Sequence, residues 1–257
     1  MGRAESICAH LERVLDAGSI EEIWALHCAC MDEYGFDRLL YGFTRFRTNN
    51  FFGNVDDLLV LSNHEKDYLQ VFLHEGLYHH APMVRWAAAH EGACSWRIVE
   101  DMVTQKALTP AEAKVVEFNL RMGVRAGYSI SFRDVSVRAK GAIGLAARRG
   151  LSQRDVDEIW AEHGRDLTVI NTVTHLRITS MPFATSRRAL TPRQREALEW
   201  VGDGKTTQDI ATIMGLTSAT VEKHLRLARE ALDVDTTTQA VLKASFQNQI
   251  FIVPTTA

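Results

Sequence analysis

The chain has 257 residues, 46% of them apolar and 24% charged, which is the make-up of an ordinary soluble protein with one or two domains and ample core. Four cysteines, Cys8, Cys28, Cys30 and Cys94, are too few and too scattered for a disulfide framework. No apolar run approaches the ~18 residues that span a bilayer, and no signal-peptide pattern opens the chain, so a cytoplasmic protein is expected. The net charge of −3 excludes nucleic-acid binding by bulk charge alone.

From the start, residues 5–17 and 19–34 read as two helices. Ile7, Leu11, Val14 and Leu15 stripe the first; Ile20, Ile23, Trp24, His27 and Met31 stripe the second, with Ser19 and Glu22 spaced as a capping box and Gly35 as the stop. Residues 38–47 (RLLYGFTRFR) and 58–61 look like strands, with Asn49, Asn50, Gly53 and Asn54 supplying the turn between them. Residues 68–78 have helical spacing, Pro82 starts a short helix ending near Ala89, and Trp96 follows a Gly-Ala-Cys-Ser loop. Thr109-Pro110-Ala111-Glu112 is a strong helix start, and that helix stops at Gly123. Residues 127–132 (GYSISF) and 142–147 read as an antiparallel pair. Residues 152–176 form a long helix with Val156, Ile159, Trp160, Leu167, Ile170 and Val173 as its apolar positions. This order predicts a sheet sandwiched between helical layers. Residues 179–189, rich in Ser and Thr with a basic pair and no period, read as an interdomain linker.

After the linker, Ile210, Ala211, Ile213 and Met214 put apolar groups on one face of a short helix, and Gly215 breaks it. Thr217 or Ser218 then caps a second helix whose inward face is Val221, Leu225, Ala228 and Leu232. Two short helices joined by a glycine-containing turn form a helix-turn-helix, in which the second helix enters the DNA major groove. The N-terminal half of that helix should meet base edges, so Glu222, Lys223 and Arg226 are the candidates for readout. Thr206, Thr217, Thr220, His224, Arg229, Lys205 and the Arg187-Arg188 pair are the candidates for phosphate contacts. From Arg187 onward there are nine Lys and Arg against eight Asp and Glu, or +1 of the total −3. Affinity must therefore come from local placement and from a homodimer on a palindromic site of double-stranded DNA, with residues 152–176 and 236–246 as candidate dimer surfaces. In the second of these, Val241, Leu242, Ser245 and Phe246 leave an apolar side without an obvious intradomain partner. The apolar tail 249–253 is expected to pack back onto its domain.

The segments LTPRQREALEW (190–200), GDGKTTQDIA (202–211), MGLTSATVEKHL (214–225) and TTTQAVLKA (236–244), in this order, resemble the DNA-binding domain of LuxR-type transcription regulators. A second resemblance precedes them. Tyr41-Gly42-Phe43, Tyr68 with Phe72, Pro82, Trp96, residues 123–127 (GVRAG) and 141–146 (GAIGLA) are similar to the ligand-binding domain of the quorum-sensing receptors of that family. The resemblance implies an α+β chain: an α-β-α sandwich enclosing an acyl-homoserine lactone over 1–177, a linker over 178–189, and an all-α four-helix helix-turn-helix domain over 190–257.

Departures from the family pattern fall on the polar ligand contacts. Tyr68 stands where a tryptophan usually donates to the lactone carbonyl, and Phe72 at the usual tyrosine. Ala81 stands at the aspartate that accepts the ligand's amide N–H, and Gly144 at the Ser or Thr that bonds the amide carbonyl. The candidate ligand residues are thus Tyr68, Phe72, Trp96, Ala81, Tyr41, His64, Gly144 and Ser131. An unmade buried hydrogen bond costs about 1–3 kcal/mol, so a more apolar or aromatic signal is expected. Two positions usually basic in the family, Ala231 and Thr237, imply fewer phosphate contacts.

Other readings are weaker. Spacing of His74, His79, His80, His90 and Cys94 fits no zinc signature, and the thiols of Cys28 and Cys30 do not face each other on a helix. No nucleophile-elbow, phosphate-loop or metalloprotease motif is present, nor the acidic cluster, central aspartate and late lysine of a receiver domain, so neither an enzyme nor a cofactor is expected. The alternatives are a regulator that folds without any ligand, and a protein-interaction module with secondary DNA binding.

Overall fold

The computed structural model describes residues 3–47, 57–133, 136–183 and 189–251. The chain divides into two compact units, residues 1–179 and 180–257. The expected turn at 49–54 and Arg187-Arg188 lie outside the described residues.

In the first unit, α1 (Arg3–Asp16) and α2 (Ile20–Glu33) lead into β1 (Phe36–Thr44) and β2 (Leu59–Ser62). Ser19 caps α2 by accepting from Glu22 N at 3.1 Å, but Glu22 reaches back to Gly18 N rather than completing a box on Ser19. The expected helix over 68–78 is broken in the structure. It consists of α3 (Lys66–Leu69), a π-helical turn (Gln70–His74), Gly76 at φ +79° and a 3-10 turn (Leu77–His80). Gly76 takes the left-handed conformation that reverses the chain cheaply only without a Cβ.

Next come α4 (Pro82–Ala89), β3 (Gly92–Ser95), α5 (Arg97–Thr104) and α6 (Pro110–Arg121). The expected Gly-Ala-Cys-Ser loop is thus an edge strand, too short and too poor in β-branched residues to show a period. Thr109 and Glu112 form the full capping box of α6. β4 (Gly127–Ser131), β5 (Lys140–Ala147) and α7 (Gln153–Ser180) complete the unit. Helix α7 therefore runs four residues past the expected end, into the segment read as linker.

The sheet is fully antiparallel, in the order β2-β1-β5-β4-β3. On β1, Leu39, Tyr41 and Phe43 alternate with Leu40 and Gly42, so the strand offers one large-residue face and one small-residue face. The large face meets α2 and α7, where Ile23, Met31, Leu167 and Ile170 are fully buried. Between these helices His27 bridges two side chains of α7. Its Nε2 lies 3.0 Å from Asn171 Oδ1 and its Nδ1 3.2 Å from Thr174 Oγ1. His175 Nδ1 lies 2.9 Å from the Tyr41 hydroxyl, with its ring stacked on Phe132 at 4.1 Å. Burial holds both imidazoles at pKa values of about 4, so both are neutral at neutral pH.

The second unit has four helices among its described residues, α8 (Pro192–Gly202), α9 (Thr207–Met214), α10 (Ser218–Leu232) and α11 (Thr237–Phe246). They enclose Ala197, Leu198, Ile210, Val221, Leu225, Ala228 and Leu232, with Ile250 of the tail buried against them. Ile213, expected on the inner face of α9, is 45% exposed.

Candidate ligand cavity and DNA interface

The small-residue face of the sheet carries Gly42, Ala142 and Gly144 in its central strands, and their missing side-chain volume leaves a cavity of about 930 Å³ under α3, α4 and α6. Tyr68, Phe72, Ala81, Trp96, His64 and Gly144 all line it. Tyr68 and Phe72 stack with ring centres 5.2 Å apart, and His64 stacks on Tyr68 at 4.3 Å. Desolvation, followed by the nearby Arg38 charge, depresses His64 to a pKa of about 4, so this imidazole is neutral.

Two donors expected to meet a ligand are already engaged. The buried Tyr68 hydroxyl donates to Asn119 Oδ1 at 3.2 Å, which leaves its oxygen as an acceptor. The Trp96 indole N–H donates to Ser129 Oγ at 2.9 Å, which leaves the Ser129 proton to donate elsewhere. Ser129 escaped the sequence reading. It stands directly opposite Gly144 in the β4–β5 register, so a hydroxyl lies beside the position where the resemblance places one. Its signal in the sequence is the alternation of GYSISF, which puts Ser129 and Ser131 on one face of the strand.

Ser131 is not among the cavity residues. Its Oγ sits 2.8 Å from Ala87 O and 2.6 Å from His90 O, where it meets carbonyls at the C-terminal end of α4. Tyr41 borders the cavity, but its ring packs near Trp24 and Phe132 and its hydroxyl bonds His175 on the opposite face. Ala81 is buried at the N-cap of α4 with no side-chain bond there. Gly127 makes room for Trp96: a Cβ there would stand 2.8 Å from the indole and clash with Leu145 O. Both backbone groups of Gly127 are held by Gln153, the N–H by Oε1 at 3.0 Å and the carbonyl by Nε2 at 3.2 Å.

In the second unit, Gly215 at φ +66° ends α9 and Thr217 caps α10 two residues later. Side chains lock the two helices together, Thr207 Oγ1 donating to Glu222 Oε1 and Ser218 Oγ to Gln208 Oε1, each at 2.9 Å. Lys223 and Arg226 are exposed on α10; Arg226 pairs with Glu230 one turn on. Such an exposed pair contributes little and opens readily toward another anion. Lys205 is exposed before α9, and His224 is half-buried. The hydroxyls of Thr206, Thr217 and Thr220 are used within the caps of α9 and α10. Arg229, expected at a phosphate, is half-buried and donates to Thr237 Oγ1 at 2.8 Å, bracing α10 against α11. A basic residue at position 237 would leave Arg229 without this acceptor.

The autoinducer binding domain family matches residues 19–178, and the sigma-70 region 4 family matches residues 188–232. This chain belongs to the LuxR family of quorum-sensing transcription regulators. Over 191 residues, 74% of each chain, it is 29% identical to the quorum sensing-dependent transcriptional regulator RpaR of Rhodopseudomonas palustris. It is 23% identical to the transcriptional activator LuxR of Aliivibrio fischeri over 188 residues, 73% of each chain. Escherichia coli SdiA shares its fold with a TM-score of 0.54 at 16% identity, covering 98% of this chain and all of that one. Like its relatives, this LuxR-family chain is a transcriptional regulator with an autoinducer-binding domain and a helix-turn-helix domain. Among the described residues no helix is long and apolar enough to cross a membrane.

Proposed function

We propose that this regulator responds to a small molecule with an apolar or aromatic body and a carbonyl or hydroxyl head, rather than to a standard acyl-homoserine lactone, and that it binds DNA as a homodimer. The observation that carries the ligand reading is the residue at the start of α4: Ala81 provides no carboxylate for an amide N–H. Ser129 offers a donor and Tyr68 an acceptor beside Trp96, and His64, Glu100, Asn119, Arg125 and Gln153 lie elsewhere in the lining. Burying that N–H unpaired costs about 1–3 kcal/mol, or ten- to a hundredfold in affinity. A matched pair of ligands, an acyl-homoserine lactone and the corresponding ester lacking the amide N–H, titrated into the purified protein, tests it. The ester should bind at least as tightly; submicromolar binding of the lactone would sink the reading.

On the DNA side, Lys223 and Arg226 read bases, and Glu222 shares its carboxylate between the base edges and Thr207. Exposed Val169 and Leu176 on α7 and Leu242 on α11 support self-association through these helices. Analytical ultracentrifugation with an operator-length duplex should give two chains per site; one chain per site would refute the dimer.

A further inference from the structure

Helix α5 is loosely integrated into the first unit: none of its eight residues is buried. Val99 and Val103 line the ligand cavity from one side, with exposed Glu100 and Thr104 beside them, Val116 and Leu120 of α6 line it from another, and Val103 and Leu120 remain 47% and 44% exposed. Residues that line a cavity and also face solvent mark its mouth. The N-terminal end of α5 is fixed. Trp96 N bonds Gly127 O at 3.1 Å, Ser95 Oγ donates to Asp157 Oδ1 at 2.7 Å, and Arg97 pairs with the same carboxylate. Its C-terminal end is a bend, with Lys106 at φ +54°, a left-handed conformation uncommon for a residue bearing a Cβ. One end anchored, one end bent and an apolar face left at the mouth are the parts of a hinged lid.

We infer that α5 is a lid over a tail-binding subsite: the signal's head lies inside at Ser129 and Tyr68, and an extended apolar tail emerges between α5 and α6, where Val99, Val103, Val116 and Leu120 close on it. The tail supplies the packing that α5 lacks, so the lid is held shut by ligands long enough to reach it. This inference rests on the proposed head chemistry for its choice of ligand class, but the lid itself is separable from it.

Straight-chain methyl ketones from 2-hexanone to 2-tridecanone, titrated into the full-length protein, provide the probe. Burying each further methylene should tighten binding about three- to fourfold. In Val103→Asp and Leu120→Asp variants, both changed at half-exposed positions that the fold tolerates, 2-hexanone should bind as before and 2-tridecanone should lose tenfold or more. Amide hydrogen exchange in residues 97–104 should slow with 2-tridecanone and not with 2-hexanone. The lid is overturned if the variants keep the full chain-length dependence or if a bound long-chain ligand leaves exchange in α5 unchanged, whereas failure of every ketone to bind overturns the head chemistry. Should an acyl-homoserine lactone prove to bind tightly, the head reading fails alone. N-hexanoyl and N-dodecanoyl lactones would then read the same lid through the same exchange difference.

Discussion

Acid should loosen the first unit through its buried imidazoles, chiefly His27 and His175. In the folded protein His27 and His175 have pKa values of about 4, against 6.5 for an ordinary histidine, because burial disfavours the charged ring. The folded values are depressed below the unfolded ones, so the unfolded chain binds more protons once pH falls below 6.5. Stability is lost from there down to about pH 4. At pH 5 linkage amounts to about 2 kcal/mol for each ring, or about 4 kcal/mol for the pair, a large part of the 5–15 kcal/mol typical of a domain. His64, also at about 4, and His10, lowered by burial, act in the same direction. Urea unfolding at pH 7, 6 and 5 measures this. Trp200→Phe removes the one tryptophan of the second unit and leaves Trp24, Trp86, Trp96 and Trp160 to report on the first. His27→Gln in that background should lower stability at pH 7 and remove about 2 kcal/mol of the fall between pH 7 and 5. A fall of less than about 1 kcal/mol between pH 7 and 5 would refute the reasoning, since the rings would then ionise in place.

Three further outcomes follow from named contacts. Gly127→Ala drives a Cβ into Leu145 O and the Trp96 ring, and should destabilise the first unit by about 3 kcal/mol or more and quench ligand binding, measured by urea midpoint and titration. Arg229→Ala should remove about 1 kcal/mol from the second unit while leaving the salt dependence of DNA binding unchanged; a slope reduced by about one would return Arg229 to the phosphates. Ala81→Asp should restore an amide acceptor and raise acyl-homoserine lactone affinity about tenfold or more, read by titration against the amide-free ester.

The helix-turn-helix was legible in the sequence almost residue by residue. Its helices are short, amphipathic and ended by local signals: Thr206 and Thr217 as caps, Gly215 at positive φ. Such signals act within a few residues of chain, so no distant partner is needed to read them. The same holds for α2, α4 and α6, whose starts are set by Ser19, Pro82 and Thr109. Where the sequence reading failed, the deciding partner was distant. β3 is a strand because β4 pairs with it, and Gly-Ala-Cys-Ser carries no period of its own. Ser129 and Ser131 are chemically identical and lie on one face; only the register of β4 on β5, and the position of α4 over the next row, gives one to the cavity and the other to carbonyls at the end of α4. Tyr41 is turned from the cavity by His175, 134 residues away in sequence. Arg229, expected at a phosphate, donates to Thr237 Oγ1 of the next helix.

The sequence by itself therefore determined most of the local elements and the division into two units, because caps, periodicity and residue chemistry are properties of adjacent residues. The family resemblance marked Ala81 as standing at the usual carboxylate. Tertiary structure alone decided which polar groups are already satisfied by one another, and so what the cavity at Ser129, Tyr68 and Trp96 has left to offer a ligand. Hydrogen-bond capacity is finite, and whether a donor is spent depends on what the fold places 3 Å from it.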